Sequence, residues 1–240
     1  MYIRADFSDV LRRRLILLMG AFAAPYCCVL AVLYGVGIAI RTVMHWSGSA
    51  QLIDPRELWN SLGLLPKLGV LLGFCLSAFS PYAVGMAGVT LVTWEDRQAK
   101  TPTAGQIAAR VWPLVPRLIV LGFLTGVGTL FGSFILVIPG ILIAAFTAFA
   151  VPSLVIEKMN VLKALRRSIM LTKPEIFTIG GLYLLVLGLT FALQVFATLL
   201  STQSVALALS MVFFVALVIH ACLGVLITLL YCQTRSTLNL

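Results

Sequence analysis

Charge is scarce in this sequence. Only 10% of the 240 residues are Asp, Glu, Lys or Arg, and two are His. An average globular domain carries about 25% charged residues. A soluble domain of this size has no way to hide the 61% that is hydrophobic, because much of any folded surface must still meet water. The acids are few and dispersed: Asp6, Asp9, Asp54, Glu57, Glu95, Asp96, Glu157 and Glu175. His45 and His220 lie in different segments. Catalysis by paired carboxylates or a bound metal needs such groups clustered, and no Walker A loop, GxSxG elbow or HExxH helix occurs. The five cysteines are scattered and form no CxxC pair, which argues against a disulfide framework and a zinc site. No catalytic residue, cofactor or metal is expected.

What the sequence has is long apolar runs. A bilayer core of about 30 Å takes roughly 20 helical residues, and six stretches approach or exceed that length: 15–40, 67–92, 117–137, 141–156, 176–200 and 205–232. The first run continues unbroken to Ile40, past the h-region of a signal peptide, and reads as a span. The expected architecture is all-α: one polytopic membrane domain over residues 1–240 with six transmembrane helices. The third and fourth spans are expected to meet in a tight turn at Ile138-Pro139-Gly140.

The net charge of +9 follows these runs. With both termini cytoplasmic, 14 of the 17 Lys and Arg residues fall inside, leaving Arg41, Arg56 and Lys67 outside. This alternation fits the positive-inside rule loop by loop and supports the count of six. It also accounts for the basic balance without nucleic acid.

Helix association in lipid depends on close packing of small residues. Gly69 and Gly73 in the second span, and Gly122, Gly126, Gly128 and Gly132 in the third, recur at spacings of four that share a helix face. These glycines are expected to pack the second span against the third. His220 and Gln194 lie within spans, where an unsatisfied polar group is costly. A neutral His220 bonded to a neighbouring helix is the simpler reading; a proton relay or ligand contact is the other. The acidic pair Glu95-Asp96 is expected in a solvated loop.

Between the fourth and fifth spans, Val161 to Thr172 is amphipathic, with Asn160 placed to cap it and Pro174 to end it. Val161, Leu162, Leu165 and Ile169 share one face; Lys163, Arg166 and Arg167 lie roughly opposite. Such a helix suits the cytoplasmic interface, where each basic residue near an anionic leaflet contributes on the order of 1 kcal/mol. Lys163, Arg166 and Arg167 are the candidate contacts to lipid or to a partner protein.

The same region carries a resemblance. It reads Val-Ile-Pro-Gly-Ile at 137–141, Val-Pro at 151–152 and then Glu157. Ala164-Leu165-Arg166-Arg167-Ser168 and Leu171-Thr172-Lys173 follow. This resembles the membrane domain associated with some glycerophosphoryl diester phosphodiesterases, and related bacterial six-span membrane proteins of unknown function. The resemblance implies a structural role for Pro139, Gly140, Pro152, Glu157, Ala164, Leu165, Ser168, Leu171 and Thr172. It further implies a multi-pass protein of a bacterial cytoplasmic membrane. In fused members the phosphodiesterase chemistry belongs to a separate soluble domain, whose residues this chain lacks. The expected function is therefore a non-enzymatic accessory module that binds membrane lipids or a cytoplasmic or membrane protein partner. A transporter or channel for a small solute is the alternative.

Overall fold

The structure, a computed structural model, describes residues 7–27, 63–200 and 205–237. The described residues are helical throughout apart from short connections. Helix α1 covers 7–27, α2 Leu64–Arg97, α3 Ala104–Val111 and α4 Val115–Ile135. Then come α5 Val137–Thr147, α6 Ala150–Ile156, α7 Val161–Thr172, α8 Ile176–Leu200 and α9 Val205–Thr237. Among the described residues, four stretches are long and apolar enough to cross a membrane: Ala104–Ile135, Val137–Ile156, Val161–Phe196 and Val212–Thr237. The chain is a helical, multi-pass membrane protein. Of the six expected spans, 15–40 lies partly outside the described residues and 67–92 falls within the longer α2; the loop carrying His45 and Arg56 lies wholly outside the described residues.

Helix α2 is the centre of the bundle and packs against α3, α4, α6 and α9. Its contact with α4 depends on glycine. A Cβ on Gly122 would lie 2.7 Å from the Phe79 carbonyl oxygen and 3.0 Å from Ser80 Cα; one on Gly126 would lie 2.7 Å from Phe79 Cβ. Real Cβ atoms do not approach that closely, so the two backbones meet only because these residues lack one. The expected partners on α2 are different, however. Gly69 and Gly73 face open space among the described residues, and α2 instead presents Phe79, Ser80 and Ala83 to α4. Gly128 and Gly132 turn towards α5, not α2: Cβ atoms there would meet Ile143. Between α2 and α9, buried Thr90 and Thr228 share a hydrogen bond of 3.3 Å, a polar link of the kind that helps hold helices together in lipid.

The expected turn at Pro139-Gly140 is corrected. The reversal falls one turn earlier, at Leu136, whose backbone is extended (φ −161°, ψ 151°). Pro139 lies in the first turn of α5, where a missing N–H costs no hydrogen bond. Gly140 is buried at the crossing, 3.0 Å from where a Gly132 Cβ would stand.

Pro152 breaks the next helix. Proline cannot donate to the carbonyl four residues back, here Ala148, and its ring clashes with it. The helix is interrupted at Ala148-Phe149, which separates α5 from α6. The expected fourth span thus becomes two pieces of a 20-residue stretch, Val137–Ile156. Pro174 was expected to end α7. Instead it sits in a single 3-10 turn, Lys173–Glu175, that runs straight into α8, where its missing N–H again matters little.

Among the described residues, two adopt left-handed backbone without being glycine: Ala99 (φ 56°) and Lys158 (φ 53°). Both follow helix ends. Ala99 N–H donates to Asp96 O at 3.0 Å and Lys100 N–H to Glu95 O at 3.0 Å, the double bond of a Schellman cap. Glycine is the usual residue there, and a side chain costs roughly 1 kcal/mol or more.

Candidate functional site

Ion pairs and a shared recess gather the helix ends that carry charge at one end of the bundle. Glu95 and Asp96 form the last turn of α2, not a loop. Glu95 is 5% exposed and pairs with Arg110 of α3. Asp96 takes Arg14 of α1 at 3.2 Å. The solvated reading of this acidic pair is therefore corrected: each acid holds an otherwise separate helix to α2.

Glu157 is the second hub. It caps the C-terminal end of α6, an unfavourable place for a carboxylate because the helix dipole is negative there. Three side chains offset this. The Tyr231 hydroxyl donates to Glu157 Oε1, Arg235 Nε lies 3.7 Å from the same oxygen, and Arg167 Nε lies 3.7 Å from Oε2. The Glu157 side chain is 10% exposed. Tyr231 is fully buried, with its ring edge-on to Phe149 at 5.6 Å.

Helix α7 joins the two ends of this knot. Its buried face is Ala164, Ser168, Leu171 and Thr172. Ser168 repairs the break made by Pro152: its hydroxyl accepts from Phe149 N at 3.0 Å and donates to Phe146 O at 2.7 Å. The expected apolar face is not the packed one. Leu162 is 70% exposed and Ile169 is also exposed, while Val161 and Leu165 are half-buried. Ala164 and Ser168 let α7 approach the bundle closely, Leu171 is buried with them, and Leu162, Ile169 and Met170 turn outward. Asn160 stands at the cap position with extended backbone but makes no side-chain cap bond. Of the three candidate cations, Lys163 and Arg166 are exposed, whereas Arg167 turns inward to Glu157. Arg167 is corrected from a lipid contact to an internal ion-pair partner.

His220 packs in an aromatic cluster, 5.7 Å from the Tyr82 ring and 6.4 Å from Phe22. Its Nδ1 lies 2.7 Å from Ala216 O. A carbonyl can only accept, so Nδ1 carries the proton and bonds to the preceding turn of its own helix, not to a neighbour. Gln194 faces outward from α8.

A groove of about 1160 Å³ lies between α1, α2, α3 and the start of α4. Its walls are almost wholly apolar, including Leu17, Ala21, Leu76, Val84, Ile107 and Val111, and Ser77 and Ser80 contribute hydroxyls. Arg12, Arg13 and Arg14 line it as well, as does Trp112, which is 78% exposed. Arg14 is held by Asp96; Arg12 and Arg13 pair with no acid among the described residues. His220 does not line the groove.

Two signals for this groove stood in the sequence. Arg12-Arg13-Arg14 weighs there only as a topology flank. Thr103-x-x-Gln106 is a capping box that starts α3: Gln106 N donates to Thr103 Oγ1 at 3.4 Å, and Thr103 N to Gln106 Oε1 at 3.0 Å. That makes α3 a second amphipathic helix, with Ile107 and Val111 buried, where the sequence reading found one.

No family model, curated protein or solved structure matches the chain.

Proposed function

We propose that this protein is a non-catalytic membrane module that holds an anionic lipid in the lateral groove between α1, α2 and α3. The observation that carries the reading is the pairing of an apolar trough with a cationic mouth whose Arg12 and Arg13 meet no acid among the described residues. An acyl chain fits the walls, and Arg12 and Arg13 offer guanidinium donors to a charged headgroup. The groove exceeds the roughly 300–1,000 Å³ typical of sites for drug-sized ligands, as suits a longer chain. Trp112, exposed in the wall of the same groove, is the residue type that settles at headgroup level. The lipid contact thus moves from α7, as expected from the sequence, to α1. Both termini are assigned to the cytoplasmic side of a bacterial cell membrane, supported by the positive-inside pattern and by the gathering of cations at one end. The resemblance to phosphodiesterase-associated membrane domains is compatible with such an accessory role.

The test is lipid retention. The full chain is purified in an uncharged detergent from mixed anionic and zwitterionic lipid, and bound lipid is read by native mass spectrometry. The wild type is expected to retain anionic lipid selectively. Substituting both Arg12→Gln and Arg13→Gln should reduce that retention by about tenfold, the effect of losing one charge-assisted bond. Filling the trough with Ala108→Phe should reduce it as well. Equal retention of both lipid classes by wild type and variants would overturn the reading.

A further inference from the structure

A second, smaller recess lies across α3 from the groove, and we infer that it binds a phosphate-bearing anion. It has a volume of about 660 Å³ and is formed by the end of α2, the α3–α4 junction and the corner after α6. Lys100, Arg110, Arg117 and Lys158 line it, and Glu95 is its only acid.

The charges do not balance. Glu95 is committed to Arg110. Two neighbouring acids are engaged elsewhere, Asp96 with Arg14 and Glu157 with Arg167 and Arg235, and neither Asp9 nor Glu175 lines the recess. Lys100 Nζ donates to Gln98 Oε1 at 2.9 Å, a neutral partner. Arg117 and Lys158 have no acidic partner among the described residues. Three cations therefore face one concavity with no carboxylate to answer them. Apolar walls, among them Leu91 and Leu114, lower the local dielectric and concentrate the field of those cations.

The backbone adds a separate argument. Lys158 reaches the recess from a left-handed position (φ 53°), where glycine or asparagine fits with less strain. A planar Arg117 fork and two lysine ammoniums suit the several acceptor oxygens of a phosphate. That chemistry has two sources at a membrane surface: a phospholipid headgroup with a terminal phosphate, or free inorganic phosphate. The site does not depend on the lipid groove, which draws on Arg12 and Arg13.

The full chain is tested in two arms. In uncharged detergent, inorganic phosphate is titrated and compared with chloride at equal ionic strength. In nanodiscs of phosphatidylcholine, a minority of phosphatidic acid is introduced and its enrichment around the protein is measured. Saturable binding in the first arm assigns free phosphate, and enrichment only in the second, measured in the Arg12→Gln, Arg13→Gln background that disables the groove and lost on Arg117→Gln or Lys158→Asn, assigns a headgroup; both support the inference. Arg117→Gln and Lys158→Asn should each weaken binding by about tenfold. Lys158→Asn suits the left-handed backbone and keeps the test valid if Arg117→Gln fails to fold. Lys163→Gln, at a residue outside both recesses, should leave this binding unchanged. The inference is overturned if neither phosphate nor phosphatidic acid binds beyond the chloride control, or if both variants bind as wild type does.

Discussion

Two basic clusters in this chain look alike in sequence and meet opposite fates. Arg12-Arg13-Arg14 on α1 and Arg166-Arg167 on α7 both sit beside apolar segments. On α7, Arg167 is turned inward by a carboxylate 10 residues away, and the helix it sits on becomes part of the frame. On α1, Asp96 takes only Arg14, and Arg12 and Arg13 are left at the mouth of an apolar trough. A cation is available for a ligand when the fold has not already given it an acid. This chain has too few acids to satisfy all its cations, so where each acid lands decides which clusters stay open.

The largest effect should come from removing the acid that closes the α7 cluster. Glu157→Gln leaves Arg167 and Arg235 beside an uncharged group in a mostly buried site, and breaking such a pair costs about 3–5 kcal/mol. A thermal melt in detergent should shift down markedly; a melt like that of wild type would show that the knot is not what holds α7 in place. Ser168→Ala comes next. It strands the Phe149 N–H at the break made by Pro152, a loss of about 1–3 kcal/mol. Ser168→Thr, which keeps a hydroxyl, should recover part of that loss if the cavity accepts one methyl group. Asp96→Asn should cost about 1 kcal/mol, since the Arg14 pair is only partly buried. It should also free a third arginine at the groove mouth and raise anionic-lipid retention in mass spectra. The smallest effect belongs to Arg166→Gln. This exposed residue should change stability by no more than about 0.5 kcal/mol and leave lipid retention unchanged. A large loss of lipid from that variant would return the contact to α7 and dissolve the contrast between the clusters.

Much of the fold could be read from particular residues. Gly122 and Gly126 have the spacing of a close helix contact and make one with α2. Their partners were not legible, because Gly69 and Gly73 show the same spacing yet face open space. A spacing of four shows that two residues share a face; it says nothing of what that face meets. Pro139 is read from the sequence as a turn and Pro174 as a helix end, yet it is Pro152 that interrupts a helix, because it falls where the N–H it lacks is needed. Ser168 carries no sequence signal for its role, since Pro152 and Phe149 are brought to it only by the packing of α7.

By itself the sequence determined the solvent and the secondary structure. Apolar runs of lipid length have no stable place in water, and backbone in lipid must satisfy its own hydrogen bonds, so helices crossing a membrane follow from composition alone. Tertiary structure alone decided which charges are spent and which remain. Whether Glu157 reaches Arg167, or Asp96 reaches Arg14, depends on how helices far apart in sequence come together. Electrostatic pairing acts over a few ångströms in space, a distance that spacing along the chain does not encode.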